Sequence, residues 1–128
     1  MLVGDACSKA LGMQVIELDA QLAKVKMTIR VDMINGGEVC HGGIIFSLAD
    51  SAFAFACNSE NYNAVTAGAH IDFLAPALLG DELTATATAI NQGKRKGIYD
   101  VRVVNQDDRL IALFRGQSHR TGDTRIAQ

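Results

Sequence analysis

The sequence predicts an α+β fold in which one long buried helix is wrapped by a curved antiparallel sheet of about five to six strands. Residues 44–57 form one long segment that is apolar on nearly every side and contains no glycine or proline, as in a fully buried helix. Several other segments alternate apolar and polar residues, which is the period of a half-buried strand. Turn residues at Gly80-Asp81, at residues 93–97 and at residues 106–108 separate these strands.

Before the long helix, the pattern predicts a short helix and a hairpin. Residues from Asp5 to Leu11 suit an amphipathic helix that ends at Gly12. Val15 to Leu18 is the expected partner of the next strand, in which apolar and polar residues alternate: Ala23, Val25, Met27 and Ile29 against Lys24, Lys26, Thr28 and Arg30.

After the long helix, the remaining strands are expected to follow one another as an antiparallel meander. They are Val65 to Leu74, Leu83 to Ile90, the segment around Tyr99 to Val103, and Leu110 to His119. A long helix enclosed by such a sheet is the hot-dog architecture, here predicted as a single domain over residues 1–128. Because one such sheet leaves an edge and part of its helix exposed, a symmetric dimer is expected.

Composition excludes several classes of function. The net charge is −2 and 20% of the 128 residues are charged, so neither nucleic acid nor an anionic membrane is an expected partner. No apolar run is long enough to cross a membrane, and the start of the chain lacks the pattern of a signal peptide. The cysteine count of 3 is odd and shows no CxxC spacing, which suits reduced thiols in the cytoplasm. Lys94, Arg95 and Lys96 are expected to form a solvated turn.

His41-Gly42-Gly43 lies where a glycine-rich loop turns into the long helix. Glycines let a ligand approach the backbone amides, and the first N–H groups of a helix lack intrahelical partners. Together with the helix dipole, such an amide suits the oxygen of a polarised thioester carbonyl, as an oxyanion hole does. The alternative is a plain helix-capping turn.

Asp50 is the strongest candidate for a catalytic group. It is the only charged residue between Glu38 and Glu60, and it lies inside the most apolar helix. Burying a carboxylate without partners costs several kcal/mol, so stability alone does not explain it. Hydrogen bonds from Ser47 or Ser51, or an ion pair with the sheet, would be a structural explanation. A buried carboxyl has a raised pKa, which suits a nucleophile or general base.

The spacing of Gly42 and Asp50 bears on how they could cooperate. Along a helix the two residues are separated by about 12 Å, whereas a single reacting carbon must lie within roughly 3–3.5 Å of each reacting group. One chain's Gly42 therefore cannot readily serve its own Asp50. Antiparallel pairing of two helices across a dimer axis would bring Gly42 of one chain near Asp50 of the other.

Sequence motifs add a resemblance to a known family. Asn35, His41-Gly42-Gly43 and Leu48-Ala49-Asp50 resemble the pattern of the hot-dog thioesterase superfamily. The segments CHGGIIFSLADSAFAFACNS, IDFLAPALLGDELTATA and ALFRGQSHR are similar to those of the thioesterases of phenylacetate degradation. The likeness runs from Asp5 to about Arg120.

The resemblance implies a function and a set of roles. The substrate would be an aryl-acetyl-CoA, such as phenylacetyl- or hydroxyphenylacetyl-CoA, hydrolysed without a cofactor or metal. It also implies self-association as a dimer or tetramer, with CoA bound at subunit interfaces. Asp50 would be the nucleophile or general base, and the Gly42 amide would hold the thioester oxygen. Asn35 would position the water or the carbonyl, and Thr66 would assist Asp50. The substrate-binding residues would be His41, Gly43 and Ser51.

Other interpretations are weaker. Cys40-His41 could form a thiol nucleophile with its base, although adjacent side chains seldom aim at each other. His70 and Asp72 point the same way from a strand, but two ligands without a third make a weak metal site. A hot-dog hydratase or dehydratase would need a histidine poised with an acid, and His41 is at the wrong end of the helix. A non-catalytic acyl-CoA-binding module would have no use for a buried carboxylate.

Overall fold

The computed structural model describes residues 5–60 and 62–124. Two helices and six strands follow in the order α1 (Ala6–Ala10), β1 (Gln14–Asp19), β2 (Leu22–Thr28), α2 (Gly42–Cys57), β3 (Tyr62–Phe73), β4 (Glu82–Gln92), β5 (Lys96–Val104) and β6 (Leu110–Thr124). A short 3₁₀ turn, Val31–Met33, lies between β2 and α2. The predicted α+β class is confirmed, and α2 begins two residues before the predicted helix.

The six strands form one antiparallel sheet in the order β1-β2-β4-β5-β6-β3. The predicted alternation is seen directly in the sheet. Val25 lies opposite Ala85 and Ala87 opposite Val101, and all four are fully buried on the face that carries α2. The polar residues between them face away from the helix, as the period of a strand requires.

The predicted meander is correct for β4, β5 and β6 but wrong for β3. Instead of pairing with β4, β3 pairs with β6 at the far edge of the sheet, and β4 pairs with β2. The connection between β3 and β4 crosses the end of the sheet. At its start Leu74 N–H donates to the Ile111 carbonyl at 2.8 Å, and at its end Gly80 N–H donates to the Ile29 carbonyl at 2.9 Å. These bonds, to Ile111 in β6 and to Ile29 just after β2, hold the crossing in place.

Helix α2 contacts all six strands, so the sheet wraps around it. Its buried face carries large apolar side chains that pack on the sheet: the Phe46 and Phe114 rings have centroids 5.4 Å apart. The Phe53 ring is fully buried and occupies the space above Gly116, where an added Cβ would approach it to 2.8 Å. Gly116 is therefore a hollow in the sheet into which one aromatic ring of the helix fits.

The short helix α1, whose formation the sequence predicted, lies against α2. Asp5 is its N-cap and accepts hydrogen bonds from the backbone N–H and the hydroxyl of Ser8, at 3.0 and 2.7 Å. Ser8 is fully buried, and its Oγ lies 3.2 Å from Ser51 Oγ of α2. Because the Ser8 proton goes to Asp5, this contact is best made by the Ser51 hydroxyl donating to Ser8.

One side of α2 is not covered by the sheet of its own chain. Gly43, Ser47, Asp50 and Ala54 lie along this side at helical spacing, and none of them is buried. Strand β3, which forms the neighbouring edge of the sheet, exposes most of its residues. Within the described residues, no helix is long and apolar enough to cross a membrane.

Candidate active site

The start of α2 leaves one backbone amide available to a ligand. His41 is the N-cap, and its Nδ1 accepts a hydrogen bond from Gly43 N–H at 2.9 Å. The N–H groups of Ile44 and Ile45 both donate to the His41 carbonyl. Among the described residues nothing accepts from Gly42 N–H. The two alternatives predicted for the tripeptide are therefore both present: His41 caps the helix, and the Gly42 amide is open.

The glycine at position 42 matters for packing and not for backbone conformation. The glycines with positive φ in the described part of the chain are Gly12, Gly80 and Gly122, so neither Gly42 nor Gly43 has the left-handed conformation. A Cβ on Gly42 would approach the Phe73 ring to 3.1 Å. The absence of a side chain allows this ring to pack against the first turn of α2.

Asn35 organises the loop that leads to the helix. Its Oδ1 accepts hydrogen bonds from the backbone N–H groups of Gly37 and Val39, at 2.8 and 3.2 Å. Its own N–H donates to the Val39 carbonyl at 2.8 Å. The side-chain oxygen is thus engaged within the loop, and the exposed NH₂ group is what remains to contact a carbonyl or a water.

The carboxylate of Asp50 has no partner in the part of the chain that the structure describes. No hydrogen bond or ion pair reaches it from any residue in ranges 5–60 and 62–124, and both serines that could have bonded it are engaged elsewhere. Ser47 Oγ donates to the Gly43 carbonyl at 2.9 Å, and Ser51 contacts Ser8. Burial raises the pKa of the Asp50 carboxyl above its ordinary value, because desolvation disfavours the charged form. The structural explanation for this acid therefore finds no support.

Thr66 lies further into its strand than its predicted position at the strand start, because β3 begins at Tyr62. It pairs with Ser118, which is buried, so Thr66 is on the face of the sheet that carries α2. Ala64 N–H donates to the side chain of Asn58, at the end of α2, at 3.1 Å. Thr66 itself is exposed, and within the described residues no side-chain hydrogen bond joins it to Asp50.

Gly42 and Asp50 are separated along α2 as the sequence spacing requires. Both belong to the same unbroken helix, which keeps them about 12 Å apart. Asp50 lies on the side of α2 that the sheet of its own chain leaves open, whereas the Gly42 amide opens at the helix end. Ser51, one residue further, turns toward α1.

The two weaker sites of the sequence analysis are not assembled for catalysis. Burial raises the pKa of the Cys40 thiol to about 11, and that thiol donates to the His41 carbonyl, while the His41 ring caps the helix. His70 Nε2 and Asp72 Oδ1 lie 3.1 Å apart on the exposed face of β3. In the described part of the chain they belong to no group of three or more potential metal ligands.

The structure adds a feature that the sequence analysis missed. An open groove of about 370 Å³ lies beside Gly42, between the loop before α2 and the chain after β3. Phe73 and Leu74 form much of its wall, and both are about half exposed. The only sequence signal is an apolar pair followed by Pro76 at the end of a strand, and that pattern is common in ordinary cores.

Comparisons with known proteins identify the family. Residues 37–112 match the thioesterase superfamily. The chain is 53% identical to the acyl-coenzyme A thioesterase PaaI of Escherichia coli, over 97% of this chain and 89% of that protein. The solved structure of E. coli PaaI superimposes with a TM-score of 0.95, covering 97% of this chain and 90% of that one.

A more distant solved structure shows the same fold with a ligand. The Streptococcus mutans protein smu.793, bound to acetyl CoA, is 25% identical and superimposes with a TM-score of 0.84 over 88% of this chain and 90% of that one. The predicted hot-dog fold and the predicted family are confirmed. With its single long helix, its enclosing antiparallel sheet and these likenesses, the chain belongs to the thioesterase superfamily.

Proposed function

We propose that this protein is an acyl-CoA thioesterase that hydrolyses an aryl-acetyl-CoA, of the phenylacetyl or hydroxyphenylacetyl type, to the free acid and CoA. The observation that carries the proposal is Asp50, a half-buried carboxylate on the open side of α2 that has no partner within the described residues. Such a group is costly for stability and useful for chemistry. The close likeness to an acyl-coenzyme A thioesterase supports hydrolysis of an acyl-CoA thioester as the reaction.

The proposed chemistry needs one carboxylate and one amide. Asp50 either attacks the thioester carbon, giving a mixed anhydride that water then hydrolyses, or removes a proton from the attacking water. In both cases the C–S bond breaks and CoA leaves as a thiolate that takes up a proton. The Gly42 amide donates to the carbonyl oxygen as negative charge develops on it.

The remaining site residues have supporting roles in this proposal. Thr66 is on the helix side of β3 and assists Asp50, while the exposed NH₂ of Asn35 orients the water or the carbonyl. His41 holds the helix start and takes the Gly43 amide, which leaves the Gly42 amide for the substrate. Gly43 flanks the bound thioester, whereas Ser51, predicted to bind substrate, is turned toward Ser8 of α1 and supports the helix beside Asp50.

We further propose that two chains are needed to complete a site. The 12 Å between Gly42 and Asp50 of one helix is too long for a single carbonyl group, which favours an Asp50 from a second copy. The open side of α2 and the neighbouring edge strand β3 offer a continuous surface for that copy. A tetramer would be a pair of such dimers, acting in the cytoplasm on acyl-CoA.

The test is the loss of activity in Asp50→Asn, followed by release of free CoA thiol from phenylacetyl-CoA. We expect the turnover number to fall by about a hundred-fold or more, the range associated with a general base or nucleophile. Asp107→Asn, on the exposed turn between β5 and β6, is the matched carboxylate-to-amide control and should keep wild-type turnover. Wild-type turnover in Asp50→Asn, with the same oligomer mass, would sink the assignment of Asp50.

A further inference from the structure

Ser8 of α1 is a fully buried polar residue that is held by contacts on both of its sides. Serine is mostly exposed in proteins, and a buried hydroxyl needs hydrogen-bond partners. The Ser8 hydroxyl and backbone N–H both donate to the Asp5 carboxylate, at 2.7 and 3.0 Å. The Ser8 carbonyl accepts from Met13 N–H at 3.0 Å, just before β1 begins. Ser8 is therefore fixed both to its own helix and to the start of the sheet.

The Asp5 carboxylate gives the Ser8 hydroxyl a fixed direction. Hydrogen bonds from Ser8, from its hydroxyl first and its backbone N–H second, hold the pKa of the Asp5 carboxyl below its ordinary value. The group is therefore ionised at neutral pH, and hydrogen bonds to an ionised acceptor are stronger than those between neutral groups. Because the Ser8 proton is committed to Asp5, the Ser8 oxygen is available to Ser51 of α2 as an acceptor, at 3.2 Å.

Ser51 uses its hydroxyl to join two helices. A serine inside a helix often donates to the carbonyl four residues earlier, and Ser47 does so to Gly43 at 2.9 Å. In the part of the chain that the structure describes, Ser51 makes no such bond, and its oxygen contacts Ser8 instead. Ser8 and Ser51 are 43 positions apart in the sequence, so this contact sets the position of α2 relative to α1.

Two anchors of α2 lie on either side of Asp50 around the helix axis. At about 100° per residue, Ser51 is turned by about 100° from Asp50 in one direction and Phe53 by about 60° in the other. Phe53 is lodged in the hollow at Gly116, and Ser51 is tied to Ser8. Together these contacts oppose rotation of this turn of α2. A rotation of about 10° would move a group at the outer surface of a helix by roughly 1 Å.

We propose that Ser8, acting through Ser51, is a positioning residue that holds the Asp50 carboxylate in its reactive place, an inference that rests on the proposed function. A displacement of about 1 Å at a reacting group can cost about a hundred-fold in rate. The contact lies on the flank of α2 that α1 covers, whereas the proposed site for the thioester oxygen is the Gly42 amide. Loss of the contact should therefore slow the chemical step and leave substrate binding unchanged.

The experiment measures kcat and KM for phenylacetyl-CoA in Ser8→Ala, in Ser51→Ala and in the double variant. We expect kcat to fall about five-fold or more in each single variant, with KM unchanged. The double variant should be no slower than either single variant, because the two hydroxyls act as one unit. Ser51→Thr keeps the hydroxyl and should retain the wild-type kcat.

Ser59→Ala is the matched control for a purely structural effect. Ser59 also ties α2 to another element, because its Oγ donates to the Ala56 carbonyl and accepts from Gln21 N–H, both at 2.7 Å. It lies just beyond the end of α2, away from Asp50. Ser59→Ala should lower the Tm as Ser8→Ala does while keeping the wild-type kcat. Thermal unfolding and oligomer mass are measured for every variant.

The possible outcomes separate this inference from the proposed function. A wild-type kcat in Ser8→Ala overturns it, even if Ser51→Ala is slow, because Ser51 would then act directly on the substrate. Should Ser8→Ala not fold, a wild-type kcat in Ser51→Ala overturns it equally. An equal loss of kcat in Ser59→Ala also overturns it, because general destabilisation then explains the effect. A wild-type protein that releases no thiol from any acyl-CoA would contradict the proposed function itself, and the positioning role falls with it.

Discussion

Asp50 combines two properties that ordinary surface acids do not share. It is half-buried in an apolar helix, and within the described residues it has no hydrogen-bond donor to stabilise its charge. The surrounding protein therefore favours the protonated carboxyl. A catalytic carboxylate placed in this way is more basic than an exposed one, which is the property that proton removal from water requires.

The raised pKa of Asp50 predicts a pH-dependent cost in stability. Below the ordinary pKa of an aspartate the group is protonated whether the chain is folded or unfolded, so folding is not opposed. As the pH rises through the raised pKa of the folded protein, the buried carboxyl must ionise, and stability falls. Asp50→Asn should therefore have a higher Tm than the wild type at neutral pH, with the difference shrinking toward about pH 4.

Calorimetry at both pH values checks this prediction. Asp107→Asn replaces an exposed carboxylate on a turn and should track the wild type at each pH. A variant at position 50 that melts below the wild type at neutral pH would mean that the carboxylate stabilises the fold through a contact not seen in one chain.

At this scale, the local sequence was sufficient to single out Asp50 as a candidate and insufficient to predict the contact between Phe73 and Gly42. A single acid in an apolar helix stands out within one segment, whatever the rest of the chain does. The contact between Phe73 and Gly42 joins two segments whose approach depends on where β3 is placed in the sheet. The hydrogen bonds that the Asn35 side-chain oxygen accepts could not be predicted either, because they depend on the turn made by residues 35–39.

At the scale of elements, the start of α2 depends on its cap. The sequence predicted a helix from Ile44 because glycine is a poor helix former, but the helix begins at Gly42. The His41 ring satisfies the Gly43 N–H, and Phe73 covers Gly42. These tertiary and capping contacts outweigh the low helix propensity of the two glycines.

The cap predicts the effect of replacing His41. His41→Ala removes the acceptor for Gly43 N–H and should lower the free energy of unfolding by about 0.5–2 kcal/mol, measured by urea denaturation. His41→Asn supplies a side-chain oxygen as the N-cap acceptor in place of the ring nitrogen and should retain most of the stability. If the alanine and asparagine variants were equally stable, the hydrogen bond to Gly43 would contribute nothing to the fold.

The strands show which features of a sheet can be predicted from the local sequence pattern. The alternation in β2, β4 and β5 gave the buried residues correctly, because the period of a strand fixes which side chains share a face. The place of β3 was wrong, because pairing with β6 depends on the crossing segment that bonds to Ile111 and Ile29. Such long-range bonds leave no periodic trace in the sequence.

At the scale of the whole molecule, the proposed site joins groups from two chains, and mixed subunits can test it. Asp50→Asn lacks the carboxylate, and Gly42→Pro lacks the amide proton. Proline suits the first position of a helix, and the preceding His41 already has the extended backbone that proline requires, at φ −59 and ψ 133. Gly42→Ala keeps the N–H while adding a Cβ, so it is the matched control for the amide.

Mixing the two inactive variants should restore activity. If subunits exchange at random, half of the dimers are mixed and each holds one intact site of two, which gives about one quarter of the wild-type activity. Thiol release after co-refolding measures this, with each variant refolded alone as the baseline. Activity that stays at that baseline, although mass measurements detect mixed dimers, would place Gly42 and Asp50 in one chain's own site.

The fit of Phe53 into the hollow at Gly116 has a consequence for how this protein can change over evolution. A ring lodged in that hollow fixes both the rotation and the lengthwise position of α2, and Asp50 is less than one turn away on the same rigid helix. Exposed positions around α2 can therefore vary over evolution while the alignment of Asp50 is inherited unchanged.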